Sequence, residues 1–181
     1  MEKVLFVGLG STGLPICKRI VETNPELNLW VYDKERKQRN NFTTFSRFRG
    51  LTNIKKIEKF PPENVKIKFN VIISCCETIG ETETVISGFI NSNNIQTDLW
   101  INVGHSSEFE NDKKLANLLK KKESELLNIE LIGELSDIQN RTATGILSGS
   151  KSHLGNAIVQ ELLNQILVPA KIVFLSEQSG R

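Results

Sequence analysis

Residues 4–13 read Val4-Leu5-Phe6-Val7-Gly8-Leu9-Gly10-Ser11-Thr12-Gly13, a short apolar run that opens directly into G-x-G-x-x-G. An amphipathic stretch follows, then the apolar run Leu27–Tyr32, and Asp33 lies 20 positions after Gly13. Strand, glycine turn, helix, strand and acid in that order form the sequence pattern of a dinucleotide site. Gly8 allows the tight turn out of the first strand, and Gly10 lets the backbone come close to a pyrophosphate. Gly13 lets the helix pack hard on the sheet, and the amides and positive dipole end of that helix face the phosphates. Asp33, at the carboxyl end of the second strand, is positioned to accept hydrogen bonds from an adenosine ribose and so to favour NAD, with NADP as the alternative.

The rest of the chain continues this alternation. The first helix is expected over Ser11–Asn24, with Pro15 in its first turn, where the missing N–H costs little. A polar segment with Phe42, Phe45 and Phe48 at three-residue spacing predicts a short helix docking its aromatics on the sheet. Further strands are expected at Ile54–Ile57, Val71–Ser74, Leu99–Val103, Ile129–Ile132, Ile146–Leu147 and Ile172–Leu175. Between them fall a helix carrying Ile79, Ile86, Phe89 and Ile90, and one carrying Leu115, Leu118 and Leu119 behind a Ser107-x-x-Glu110 capping box. A last helix is expected around His153–Ile166, with Leu154, Ile158, Leu162 and Ile166 as its stripe. The architecture implied is α/β, a Rossmann-type doubly wound, mostly parallel sheet with helices on both faces, in one dinucleotide-binding domain over residues 1–181.

Composition narrows the function classes. Lys plus Arg number 23 against 21 acidic residues, a net charge of +2, which lacks the basic footprint of a nucleic-acid binder. The basic cluster Lys34–Arg39 with Arg47 and Arg49 reads as a solvated helix face, with contact to a cofactor phosphate as the alternative. Cys17, Cys75 and Cys76 have neither a disulfide framework nor metal-ligand spacing, and suit a reducing compartment. No apolar run approaches the ~18 residues of a membrane span, and the first strand is too short for a signal segment. A cytoplasmic protein without metal is the expectation.

Several stretches resemble the NAD(P)-binding domain of the 6-phosphogluconate and β-hydroxyacid dehydrogenase superfamily. The opening residues 4–20 look like that family's start, down to Gly8-Leu9-Gly10 and the downstream Pro15. Val71–Ser74 followed by Cys75-Cys76-Glu77 resembles its strand and cofactor-contacting loop. Residues 100–108, with Gly104 and His105, are similar to its D-x-S-T-x-S-P-E stretch, and Gly133–Ile138 falls where the family writes its substrate-binding Ser-Gly-Gly loop, so a loop is expected there. The resemblance implies cofactor contacts from Gly8, Leu9, Gly10, Ser11, Thr12, Gly13, Asp33, Cys75, Cys76, Glu77 and Gly104. It implies a small hydroxyacid as substrate, with Ser136 as the candidate to touch it.

The departures from the family carry equal weight. His105 replaces part of the hydroxyl pattern and is the candidate stand-in for an acid–base group, Asp137 and Ile138 crowd the Ser-Gly-Gly position, and the family's catalytic Lys and Asn lie beyond the position of Gly180. The helical second domain of the family is accordingly expected to be absent, and turnover by this chain alone is in doubt. A non-catalytic dinucleotide-binding module, as a sensor or as a subunit of a larger complex, is the second reading. Partners consistent with either reading are the dinucleotide and a homo-oligomer mate or second subunit covering the site.

Overall fold

A computed structural model describes residues 2–63, 65–104, 109–140, 142–149, 151–166 and 172–174. Eight strands form one sheet: β1 (Lys3–Val7), β2 (Asn28–Tyr32), β3 (Ile54–Lys56), β4 (Ile67–Ser74), β5 (Ile95–Gly104), β6 (Glu125–Ile132), β7 (Thr144–Gly149) and β8 (Ile172–Phe174). Helices α1 (Gly13–Thr23), α2 (Arg36–Phe48), α3 (Ile79–Asn91), α4 (Phe109–Leu119), α5 (Leu135–Asn140) and α6 (Ala157–Ile166) connect them. The spatial order is β3-β2-β1-β4-β5-β6-β7-β8. Strands β1 to β6 run parallel, β7 is antiparallel to β6, and β8 pairs parallel with β7. The fold is a Rossmann-type doubly wound sheet, and its strand order reverses between β1 and β4.

Both faces of the sheet are covered. Ile16, Cys17, Ile20, Phe42, Ile138, Val159 and Leu163 from α1, α2, α5 and α6 pack with Val4, Phe6, Ile73 and Ile101 on one side. Ile86, Phe89, Leu115 and Leu119 from α3 and α4 pack with Leu5, Ile72 and Trp100 on the other. Burial on both faces is why β1 and the second halves of β4 and β5 read as continuous apolar runs. The first halves of β4 and β5 alternate instead, with Lys68, Asn70, Gln96 and Asp98 exposed. That alternation hid them in the sequence, so both strands begin four residues earlier than expected.

Three other expectations are corrected. Phe42 is buried and Phe45 packs beside it, but Phe48 is 87% exposed. At ~100° per residue, two steps of three swing Phe48 about 120° away from Phe42, off the buried face. Residues 133–138 are not an open loop: α5 forms there, with Asp137 Oδ2 accepting the Glu134 amide at 2.9 Å. Arg19 of α1 fastens α5, donating from Nη2 to the carbonyls of Ile138 and Gln139 at 2.9 and 2.7 Å. The last helix starts at Ala157, and Val159 and Leu163 form its buried contact. The side chains of Ile158, Leu162 and Ile166, and residue Ser107 of the expected capping box, lie outside the described residues.

A polar row crosses the α3/α4 face of the sheet. Ser74, Asn102, Asn128 and Ser148 are register partners on four successive strands. Trp100 Nε1 donates to Ser74 Oγ at 2.8 Å, Ser74 to Asn102 Oδ1 at 3.0 Å, and Asn102 Nδ2 to Asn128 Oδ1 at 2.7 Å. Asn128 Nδ2 and Ser148 Oγ both end on Asp112 Oδ2 of α4, at 3.4 and 2.8 Å. Ser74, Asn102 and Asn128 each meet the next side chain of the row, which fixes strand register more sharply than apolar packing alone, while Asp112 Oδ1 at its end is buried without a partner among the described residues. The row also fixes the Asn102 side chain at the carboxyl edge of the sheet.

Two tests follow from this packing. A Cβ on Gly13 would overlap the Gly8 carbonyl oxygen and press on Cys75 Cβ, both held by strand backbone. Gly13→Ala should lower unfolding free energy by about 1–3 kcal/mol or more, measured by urea denaturation. Burial pushes the Cys75 thiol up to about 12 and Cys17 well above its ordinary value. In the unfolded chain these thiols ionise near pH ~8.5, so above that the unfolded state binds fewer protons than the folded one. Stability is therefore expected to fall as pH rises from about 9 towards 12, by ~1.4 kcal/mol per pH unit for each protonated thiol. The slope should flatten in a Cys17→Ala/Cys75→Ala variant.

Candidate functional site

A cleft of about 810 Å³ opens at the carboxyl ends of β1, β2, β4 and β5, where the strand order reverses. Most of its floor and walls come from four chain segments. Gly8 and Gly10–Gly13 come from the β1–α1 turn, Tyr32–Glu35 from the end of β2, Cys75–Ile79, Glu81 and Thr82 from the end of β4 and the start of α3, and Asn102–Gly104 from β5, with Gln38 of α2 and Asn111 of α4 at the border. Of the residues expected at a cofactor, Gly8, Gly10, Ser11, Thr12, Gly13, Asp33, Cys75, Cys76, Glu77 and Gly104 all line it.

The glycines divide their work. Gly8 has φ +94° and its amide donates to the Tyr32 carbonyl at 2.9 Å, tying the turn to β2. A Cβ on Gly8 would strike the Cys75 carbonyl, so β4 lies directly against it. Gly10 is different: a Cβ there meets nothing within 4 Å, because it faces the cleft. Gly10 is thus the one glycine of the motif that the packing does not require, and the open space above it is of the kind a pyrophosphate needs. Helix α1 begins three residues on with Thr12 at its N-cap, which supplies no side-chain capping bond. The first-turn amides at that end point towards the cleft and favour negative charge.

Asp33 is only 8% exposed and is held from two sides. Its Oδ2 accepts the Leu9 amide at 2.6 Å and its Oδ1 accepts the Glu35 amide at 2.7 Å. The carboxylate therefore clamps the glycine turn to the β2–α2 junction, and each oxygen keeps a second lone pair for a ribose hydroxyl. Leu9 does not reach the cleft: its side chain is fully buried and its amide serves Asp33. It supports the site from beneath.

The basic cluster divides among several jobs. Arg39 is buried and donates to the carbonyls of Asp33 and Lys34, with Nη2 3.3 Å from Glu58. Arg49 pairs with Glu22 at 2.5 Å, and Lys34 pairs with Glu81 across the cleft. Of the cluster's basic residues only Lys34 lines the cleft, among the described residues. Arg39 was legible only as one of several surface charges, since nothing local marks a guanidinium that closes over backbone carbonyls.

Cys76 lines the cleft beside Thr82, and burial pushes its thiol up to about 11. It stays protonated near neutral pH and serves as wall rather than nucleophile. Ser136 sits exposed on α5 and does not line the cleft. His105 lies outside the described residues. Asn102, Thr78 and Glu81 line the cleft without having been singled out in the sequence. For Thr78 and Glu81 a signal existed, the T-x-x-E spacing of a helix start, and Thr78 Oγ1 does accept the Glu81 amide at 3.3 Å. Among the described residues no group of His, Cys, Asp and Glu is arranged to hold a metal ion, and no helix is long and apolar enough to cross a membrane.

Comparison with known proteins agrees with this geometry. No curated protein sequence matches the chain significantly. Among solved structures, a 3-hydroxyisobutyrate dehydrogenase of Mycobacterium tuberculosis with L-serine is similar at a TM-score of 0.76 and 15% identity, over 96% of this chain and 54% of that one. A 3-hydroxyisobutyrate dehydrogenase of Salmonella typhimurium gives 0.73 and 14%, over 97% and 56%. A reductive aminase of Aspergillus terreus in complex with NADPH4, cyclohexanone and allyl amine gives 0.71 and 13%, over 99% and 56%. At such identities the likeness establishes the fold, and the chain spans little more than half the length of these structures. The family profile described as the NAD binding domain of 6-phosphogluconate dehydrogenase matches residues 3–167. The chain therefore belongs to the family of NAD-binding domains of 6-phosphogluconate dehydrogenase.

Proposed function

We propose that the chain binds NAD in the cleft at the β1/β4 reversal, as the cofactor-holding part of a hydride-transfer system of the β-hydroxyacid type. The observation that carries the reading is Gly10, which faces the cleft with open space where a side chain would stand, three residues before the start of α1. In this reading the backbone of residues 10–13 receives the pyrophosphate, and Asp33 accepts from the adenosine ribose with its remaining lone pairs. Cys76, Glu77 and Gly104 border the path from adenosine to nicotinamide along the carboxyl edge of the sheet. The bound nicotinamide supplies the hydride chemistry. A small hydroxyacid or its oxo form is the substrate class that the family suggests, and a reducing, cytoplasmic setting suits the three unpaired thiols.

We further propose that this chain alone is a binding module rather than a working dehydrogenase. Proton transfer from a hydroxyl needs a positioned acid–base group, and such a group contributes about 10²–10⁴-fold in rate. Among the described lining residues no histidine is present, and the one lysine, Lys34, is engaged by Glu81 at the adenosine end. Ser136 on α5 stands outside the cleft, which weakens its candidacy as a substrate contact. A homo-oligomer mate or a second subunit over the open cleft would supply such a group.

Calorimetric titration of the full chain with NAD(H) tests the binding reading. Saturable binding is expected, and Gly10→Val should weaken it at least about tenfold, a loss of ~1.4 kcal/mol, while leaving unfolding free energy nearly unchanged. Absence of any binding at millimolar dinucleotide contradicts the reading. For activity, absorbance at 340 nm with small 3-hydroxyacids, 6-phosphogluconate and their oxo counterparts should show no turnover above background. Robust turnover that disappears in His105→Ala or Ser136→Ala would make the chain a compact dehydrogenase.

A further inference from the structure

The adenosine end of the cleft carries more negative charge than a ribose needs. The charged residues among its described lining are Asp33, Lys34, Glu35, Glu77 and Glu81, four carboxylates against one ammonium. That ammonium is engaged. Lys34, directly after β2, forms an ion pair with Glu81 Oε1 in the first turn of α3, so the pair bridges the two walls of the cleft.

The two partners differ in how firmly they are held. Thr78 Oγ1 accepts the Glu81 amide at 3.3 Å, and Glu81 Oε2 accepts the Glu77 amide at 3.2 Å. The Glu81 side chain is 32% exposed, whereas that of Lys34 is 61% exposed and has no second anchor among the described residues. Glu81 is the fixed post and Lys34 the long side chain drawn to it. The hydrogen bond between them, reinforced by their opposite charges, holds Glu81 below its ordinary value and Lys34 above its own, so both stay ionised near neutral pH.

We propose that Glu81 is a selectivity-determining residue of the cleft: it withholds Lys34 from the 2′-phosphate of NADP and adds its own negative charge there, so that NAD is preferred. The inference rests on the dinucleotide reading given above. A 2′-phosphate carries about −1.5 to −2 charges and needs a cation beside the ribose. Lys34 adjoins Asp33 in the chain and is the cation within that stretch that lines the cleft. For Lys34 to serve the phosphate it must leave Glu81, and the freed carboxylate then faces the same phosphate. An NAD ribose, being uncharged at that position, meets neither cost. Asp33 contributes to the repulsion, but its charge is spread over the Leu9 and Glu35 amides, whereas Glu81 acts on Lys34, the one cation among the described lining residues.

The test is Glu81→Gln, which removes the charge and keeps an oxygen for the Glu77 amide. Exposed ion pairs of this kind contribute little to stability, so the fold is expected to stand, and a thermal melt checks it. NAD and NADP dissociation constants are measured on the full chain by calorimetry at low ionic strength, where surface charge is least screened. The unmutated chain should prefer NAD. Glu81→Gln should tighten NADP about 3–10-fold while changing NAD by less than about 2-fold, and adding Lys34→Ala should cancel the gain. Three outcomes overturn the proposal while dinucleotide binding stands: an unchanged NAD to NADP ratio, a gain that survives loss of Lys34, or an unmutated chain that prefers NADP. Binding of neither dinucleotide overturns the dinucleotide reading itself and this inference with it.

Discussion

The first turn of α1 and the carboxyl ends of β1 and β4 meet at a point where no side chain fits. The Gly8 carbonyl lies where a Gly13 Cβ would be, and the Cys75 carbonyl lies where a Gly8 Cβ would be. That contact sets the height of α1 above the sheet, and with it the direction of the helix start. Asp33 locks the same turn from the side by accepting the Leu9 amide, and Gly8 donates to the Tyr32 carbonyl. Turn, helix and second strand are therefore one unit. The cleft exists because this unit is rigid and because the strand order reverses beside it.

The further reaches of the sheet serve the same edge. The row Ser74, Asn102, Asn128 and Ser148 runs through register partners on β4, β5, β6 and β7 and ends on Asp112. A buried amide that lost its partner would cost about 1–3 kcal/mol, so each strand has a strong reason to keep its register. Asn102 is the member that lines the cleft, so the network anchors the floor on its β5 side. Arg19 does comparable work on the other face, where it closes α5 onto α1.

Legibility in the sequence followed locality. The strand–turn–helix–strand–acid order of residues 4–33 is contiguous, and each residue type there has one physical reason to be present. The fold class and most of the cleft lining could be read from it and from the Val71–Glu77 and Trp100–Gly104 stretches. Leu9 could not be read as a support, because which amide Asp33 takes depends on how β1 and β2 lie together. Residues 133–138 read as a loop because family likeness outweighed a six-residue helix whose cap comes from Asp137 and whose anchor comes from Arg19, far away in the chain. Lys34 and Glu81 are 47 positions apart, and only the fold, which sets the start of α3 across the cleft from the end of β2, makes them a pair.

Amide chemical-shift mapping of the isotopically labelled chain during titration with NADH tests most directly the proposal that a dinucleotide lies along residues 8–13, 33–35, 75–78 and 102–104. Shifts should concentrate in those four segments, with the largest at Gly10–Gly13, while α5 and the exposed end of α2 near Phe48 stay still. Saturating shifts elsewhere on the sheet, or none at millimolar NADH, would contradict it.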